Sequence, residues 1–151
     1  MKITLAVDGS AHSKHAIQTL AHLAPPEELV LVHAMNLPDF NYAMITPELR
    51  VQADMEAALR KEGEGILAQA REAIPQDFSH VQEVHQIGHP VDVILETARS
   101  AGSQLILLGA RGLGPLKELV LGSTSHRVLM HAPCSTMIVQ APVPRLRKIL
   151  L

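Results

Sequence analysis

Aromatic side chains are nearly missing from this chain: Phe40, Tyr42 and Phe78 are the whole set, and there is no tryptophan. Binders of single-stranded nucleic acid stack bases on aromatic rings, so that class is excluded. Any bound purine would have to lie against aliphatic side chains and backbone. Positive charge is scarce as well. Thirteen Lys and Arg stand against fifteen Asp and Glu, a formal charge of −2, which leaves no broad basic face for a nucleic-acid backbone. There is one cysteine, Cys134, so no internal disulfide can form. Placed after Pro133, it reads as a buried, inert thiol; redox sensing would need exposure and a lowered pKa. No apolar run approaches the roughly 18 to 20 residues that span a bilayer. The chain enters a strand-like pattern at Ile3 with no apolar signal core before it. Together these absences predict a cytoplasmic protein with no membrane and no nucleic-acid partner.

What is present suits one packed core. The chain has 151 residues, 47% hydrophobic and 19% charged, which argues against disorder. Two residue periods alternate along it. Ile3 to Val7 is a short branched apolar run and reads as a buried strand. Ser10 is a plausible N-cap for a helix to Ala24, with Ala16, Ile17, Leu20 and Leu23 on one face, stopped by Pro25-Pro26. Leu29 to Ala34 is a second strand, and 36–46 a loop. Pro47 opens a long helix to about Ala73, striped by Leu49, Met55, Leu59, Ile66 and Leu67. A third strand follows over Ser79 to Ile87. A helix runs from Pro90 to Ala101 and ends at Gly102. Leu105 to Leu108 is a fourth strand. Helices are expected over Leu116 to Leu121 and Ser123 to His131, and a fifth strand over Thr136 to Val139.

Strands alternating with helices call for a mainly parallel sheet covered on both faces. Right-handed crossovers favour a doubly wound α/β sheet, here in strand order 3-2-1-4-5. Residues 1–141 then form one domain and 142–151 a basic-apolar tail that either docks on a partner subunit or frays. In that order the winding reverses between strands 1 and 4, and ligands of such sheets sit at the carboxyl ends of the strands there. The turns at that point are Asp8-Gly9-Ser10 and Gly109-Ala110-Arg111-Gly112. Glycines let backbone N–H groups approach an anion. Gly122-Ser123-Thr124-Ser125 opens a helix, where hydroxyls, free N–H groups and the positive dipole end coincide. On physics alone these residues are either a phosphate cradle or merely the shape of two turns.

The spacing Gly109-x2-Gly112-x9-Gly122-Ser123-Thr124 resembles the ATP-binding signature of the universal stress protein family. The resemblance covers nearly the whole chain. It extends through Val7-Asp8-Gly9-Ser10, Leu31-Val32-His33-Ala34, Leu105 to Gly109, Leu119 to Thr124 and Ala132-Pro133-Cys134-Ser135. It implies a five-stranded α/β fold that binds ATP and usually dimerises through its last strand, an exposed edge being open to pairing. By matching positions it puts Ala6, Val7, Asp8 and Ala34 near the adenosine. It puts Gly109, Gly112, Gly122, Ser123 and Thr124 on the phosphates, with Arg111 and Ser125 as neighbours. Some members carry proline where this chain has Ala6.

Asp8 is then a ligand to ribose, adenine amine or a nucleotide-borne Mg²⁺, or else a plain turn-former. Arg111 pairs with phosphate or stays solvated. No catalytic residue is assigned. The phosphate loop G-x-x-x-x-G-K-S/T and the serine-glycine-rich pyrophosphatase loop are both missing. Only Asp8 is placed to activate water, so turnover is expected to be slow at most. The expected role is a nucleotide-dependent regulator with an unidentified partner protein. The alternatives are a slow ATPase and a sensor of AMP or cyclic AMP. His12 and His15 are three apart on the first helix and in reach of each other. They lack the further ligands a resident metal site needs. His33 reads as a satisfied core histidine.

Overall fold

The computed structural model describes residues 1–37, 47–111 and 121–140, with side chains described from Val51 onward in the second stretch. Five parallel strands, β1 (Lys2–Ala6), β2 (Glu28–Met35), β3 (Val81–Ile87), β4 (Leu105–Gly109) and β5 (Ser135–Val139), lie in the order β3-β2-β1-β4-β5. This is the expected order. Four helices link them: α1 (Ala11–Thr19), α2 (Pro47–Glu72), α3 (Pro90–Ala101) and α4 (Ser123–His131).

Alternation along the strands builds two apolar layers. Ile3, Leu5, Leu29, Leu31 and Leu107 face α1 and α2, where they meet Ile17, Leu20, Leu67 and Ala70. Val32, Ile106 and Leu108 face α3 and α4, where they meet Val91, Ile94, Leu95 and Val128. The central strands are apolar on both faces, as a buried parallel sheet requires. The edge strand β3 is only partly covered, and Ile87 is exposed. Hence the imperfect alternation of its sequence.

Several boundaries differ from the sequence expectation. The first helix ends at Thr19, whose hydroxyl donates to the His15 carbonyl, and a single 3-10 turn over Leu20–His22 replaces its last turns. β2 runs one residue further at each end, where neighbouring strands pair with it. β3 begins at Val81, not Ser79, because pairing with β2 begins there. Gly102 caps α3 in the left-handed conformation, as anticipated (φ 64°). The helix expected over Leu116 to Leu121, the loop at 38–46 and the tail at 142–151 lie outside the described residues, save Leu121.

One contact sets how α2 seats on the sheet. His33 and His85 are paired neighbours on β2 and β3, with ring centroids 5.3 Å apart. The Val7 carbonyl only accepts, so His33 Nδ1–H donates to it, at 2.8 Å. Gly63 of α2 covers both rings; a β-carbon there would sit 2.3 Å from His85 Nε2 and 2.7 Å from His33 Cδ2. His85 Nε2 is buried and has no hydrogen-bond partner among the described residues. Its proton affinity is lowered by burial first, then by His33 and Arg60, with Glu64 opposing.

Two predictions follow from this seat. Alanine normally stabilises a helix interior over glycine, and Gly65 has nothing within 4 Å of its missing β-carbon. Gly65→Ala should therefore stabilise by about 0.5–1 kcal/mol, and Gly63→Ala should destabilise by about 1–3 kcal/mol, both read by denaturant unfolding. Because His85 holds its proton less well folded than unfolded, the unfolded chain binds the extra proton at acid pH. Stability should be complete above the ordinary imidazole range and should fall as pH drops through and below it. Denaturant midpoints at about pH 7.5 and 5.5 should show the loss, and His85→Leu should reduce it.

Candidate functional site

The winding reverses between β1 and β4, and a cleft of about 120 Å³ opens at their carboxyl ends. Ala6, Val7 and Asp8 line it from β1 and the turn after it, Ala34 from β2, Gly109 and Arg111 from β4 and its turn, and Thr124 and Ser125 from α4. Thus eight of the residues named from sequence share one wall. Gly122 and Ser123 are not in that wall; Gly122 is the N-cap of α4 and Ser123 its exposed first residue. Gly112 lies outside the described residues.

Pro90 and Ile94 of α3 complete the wall, with Ser13, Val32, His33 and Leu108. The α3 residues were not anticipated. They reach the cleft because the crossover from β3 carries α3 back across β2 and β1. A parallel topology puts every such helix start at the carboxyl end of the sheet, so their position was the available signal. The apolar members make this side suited to a flat ring without aromatic stacking.

The turns are held by bonds that sequence did not reveal. Asp8 Oδ1 accepts from the Ser10 N–H at 3.0 Å, and the Asp8 N–H donates to Ser13 Oγ at 3.2 Å. Asp8 therefore does form the turn, and it lines the cleft as well. Ser10 caps α1 by accepting from the Ser13 N–H at 3.2 Å. Its hydroxyl donates across to the Arg111 carbonyl at 3.3 Å. On the other side, the Ser125 hydroxyl is 2.9 Å from both the Gly109 and Ala110 carbonyls. Its single proton is shared between them, so Ser125 anchors the turn instead of presenting a free hydroxyl.

Two glycines of the segment have definite packing reasons. A β-carbon on Gly109 would lie 2.5 Å from the His12 carbonyl carbon and 2.7 Å from the Ser13 nitrogen, inside the backbone of α1. One on Gly122 would lie 3.3 Å from the Ala110 oxygen and the Arg111 α-carbon. α4 itself starts with no side-chain cap and no acidic residue in its first turn. Thr124 and Ser125 of its first turn line the same cleft as Arg111, beside the leading N–H groups and positive dipole end that a helix start carries.

The remaining candidates are bland. Cys134 is half-buried, and burial raises its thiol pKa, which suits an unreactive side chain. No group of three or more His, Cys, Asp and Glu is placed to hold a metal among the described residues. Among the same residues, no helix is long and apolar enough to cross a membrane.

A doubly wound parallel sheet with a cleft at its switch point defines a small α/β protein whose cleft lies where sheets of this kind hold their ligands. Residues 1–140 match the model of the universal stress protein family, and the chain belongs to that family. It is 31% identical over 146 residues to universal stress protein YxiE of Bacillus subtilis, covering 92% of this chain and 98% of that one. Its fold matches UspA of Lactobacillus plantarum with a TM-score of 0.75 at 22% identity, covering 93% and 97% of the two chains. Two further structures share the fold. A universal stress protein in complex with cAMP matches with a TM-score of 0.56 at 22% identity over 93% of this chain and 97% of that one. An Arabidopsis thaliana family protein with AMP bound matches with 0.59 at 20% identity over 93% and 91%.

Removing the Ser125 hydroxyl would strip a shared donor from two carbonyls at a site only 3% exposed. Ser125→Ala should cost about 1–2 kcal/mol in denaturant unfolding.

Proposed function

We propose that this chain is an ATP-binding member of the universal stress protein family that works as a nucleotide-dependent regulator. The observation that carries the reading is the acid-free first turn of α4, with no side-chain cap, whose Thr124 and Ser125 line the same cleft as Arg111 and Gly109. A helix start of this kind is an anion site, since its first N–H groups lack intrahelical partners and its dipole favours negative charge. The opposite wall, with Ala6, Val32, Ala34 and Ile94, offers aliphatic surface to an adenine ring. Asp8, which lines the same cleft, is proposed to take a ribose hydroxyl or a Mg²⁺ carried by the nucleotide. Ser123 and Gly112 are proposed to join the phosphate contacts through their backbone. The AMP and cAMP held by fold relatives support an adenine nucleotide as the class of ligand.

Regulation is favoured over fast catalysis because Asp8 is the one carboxylate lining the cleft among the described residues, and it is tied into the turn through the Ser10 N–H. A water-activating base would have to be that same carboxylate, through the oxygen the turn leaves open. A regulator instead needs different affinity for two states. The turn at 109–111 is the element that ligand occupancy would stiffen. Dimerisation through the exposed β5 edge is proposed as the readout.

Calorimetric titration of nucleotide-free protein with Mg-ATP should give one site per chain. Gly122→Val should weaken binding by at least about tenfold, because its side chain displaces Ala110 and Arg111, and a tenfold loss is only about 1.4 kcal/mol. Native protein that binds neither Mg-ATP nor AMP nor cAMP would sink the nucleotide reading; tighter binding of AMP or cAMP than of Mg-ATP would transfer it to the sensor alternative.

A further inference from the structure

Two helix starts converge on Ala110-Arg111. Ser10, the cap of α1, donates to the Arg111 carbonyl, and the Gly122 N–H at the cap of α4 donates to the Ala110 carbonyl at 2.7 Å. Neither helix has an acidic residue in its first turn. The second residue of α1 is His12, whose Cβ lies against the end of β4 at Gly109. Its ring meets the His15 ring edge-on with centroids 6.0 Å apart, and His15 Nδ1 is buried with no hydrogen-bond partner among the described residues. Among the described residues, the charged and titratable groups that act on His12 are Arg111 from the turn after β4, Asp8 from the turn after β1, and His15 from its own helix. Of the strands packed on α1, β4 and β5 have no titratable side chain and β1 has only Lys2, at its amino end, away from the cleft; the 3-10 turn that continues α1 adds His22 at the far end of the helix.

His12 therefore sits in a positive corner. Burial, then Arg111, then His15 hold its proton affinity below the ordinary imidazole range, and only Asp8 opposes them. An anion seated at Arg111 would offset that guanidinium and add negative potential next to the ring. Both changes favour imidazolium.

We propose that His12 is a proton-linked positioning residue for the phosphate end of the cleft: it takes up a proton when nucleotide phosphates seat against Arg111 and the start of α4. This rests on the nucleotide reading above. It makes binding tighter in mild acid, and more so for a polyphosphate than for a nucleoside, since the effect scales with the charge placed beside the ring.

The test uses the full chain and Mg-ATP. Titrations in two buffers of equal pH and different ionisation enthalpy count the protons taken up, and NMR of the His12 ring with and without nucleotide reports the site. Roughly half a proton or more per nucleotide is expected near neutral pH, with Kd falling by up to about tenfold per pH unit lowered. The His12 titration should move to higher pH in the complex. Adenosine should give no uptake. His12→Gln should lose the uptake and flatten the slope, with its affinity loss concentrated at the acid end; protonation of ATP itself is common to both proteins and cancels. Binding without uptake, or uptake undiminished in His12→Gln, would overturn the inference and leave the nucleotide reading standing. Failure of native protein to bind Mg-ATP at all would overturn both. If His12→Gln does not fold, the native NMR titration decides, an unmoved His12 being the contrary result.

Discussion

The carbonyl end of β4 is pressed between two helix starts, and that close approach organises the cleft end of the molecule. The backbone of α1 comes so near Gly109 that a β-carbon there would fall 2.5 Å from the His12 carbonyl carbon. With α1 that close, Ser10 can reach the Arg111 carbonyl from one side. From the other side α4 delivers Ser125 to the Gly109 and Ala110 carbonyls. The turn is thus pinned by hydroxyl groups at both flanks. Its backbone polarity is spent inward, and Arg111 is carried at the cleft wall.

The same arrangement concentrates positive potential. Two nine-residue helices begin within hydrogen-bond reach of one dipeptide, and no acidic side chain offsets either in its first turn. Repulsion of this kind opposes folding slightly and becomes attraction when an anion arrives. The opposite end of the cleft is built differently. There β2, β1 and α3 supply a mostly aliphatic wall, and His33 is tied down through Val7. One end of the cleft carries Arg111, and the other is mostly aliphatic.

The His33–His85 pair adds a separate constraint. It is covered by the one helical glycine whose missing side chain is needed, and the buried Nε2 of His85 is left without a partner among the described residues. Stability is sacrificed there to admit two imidazoles under α2. Glycine at 63 reads in sequence as a weak point of a long helix, and at 65 it is one. Nothing local separates the two. The difference comes from which face meets β2 and β3.

Local sequence was enough to determine the element types, the parallel doubly wound sheet and its order. The branched apolar runs at Ile3, Leu29 and Leu105 are too short for helices and too apolar for exposed strands, and the strand–helix alternation leaves few ways to bury them. It also placed Asp8 and Gly109 at the switch point, because that position follows from strand order alone. Helix ends were less legible: the first helix tightens at Leu20 because of how its last turn packs. Only the tertiary structure decided that Ser125 spends its hydroxyl on the turn, that Pro90 and Ile94 line the cleft, and that His12 lies against the end of β4. These relations join residues separated by fifteen to about a hundred positions. Periodicity reports which face a side chain takes; it carries no information about what faces it across a packed interface.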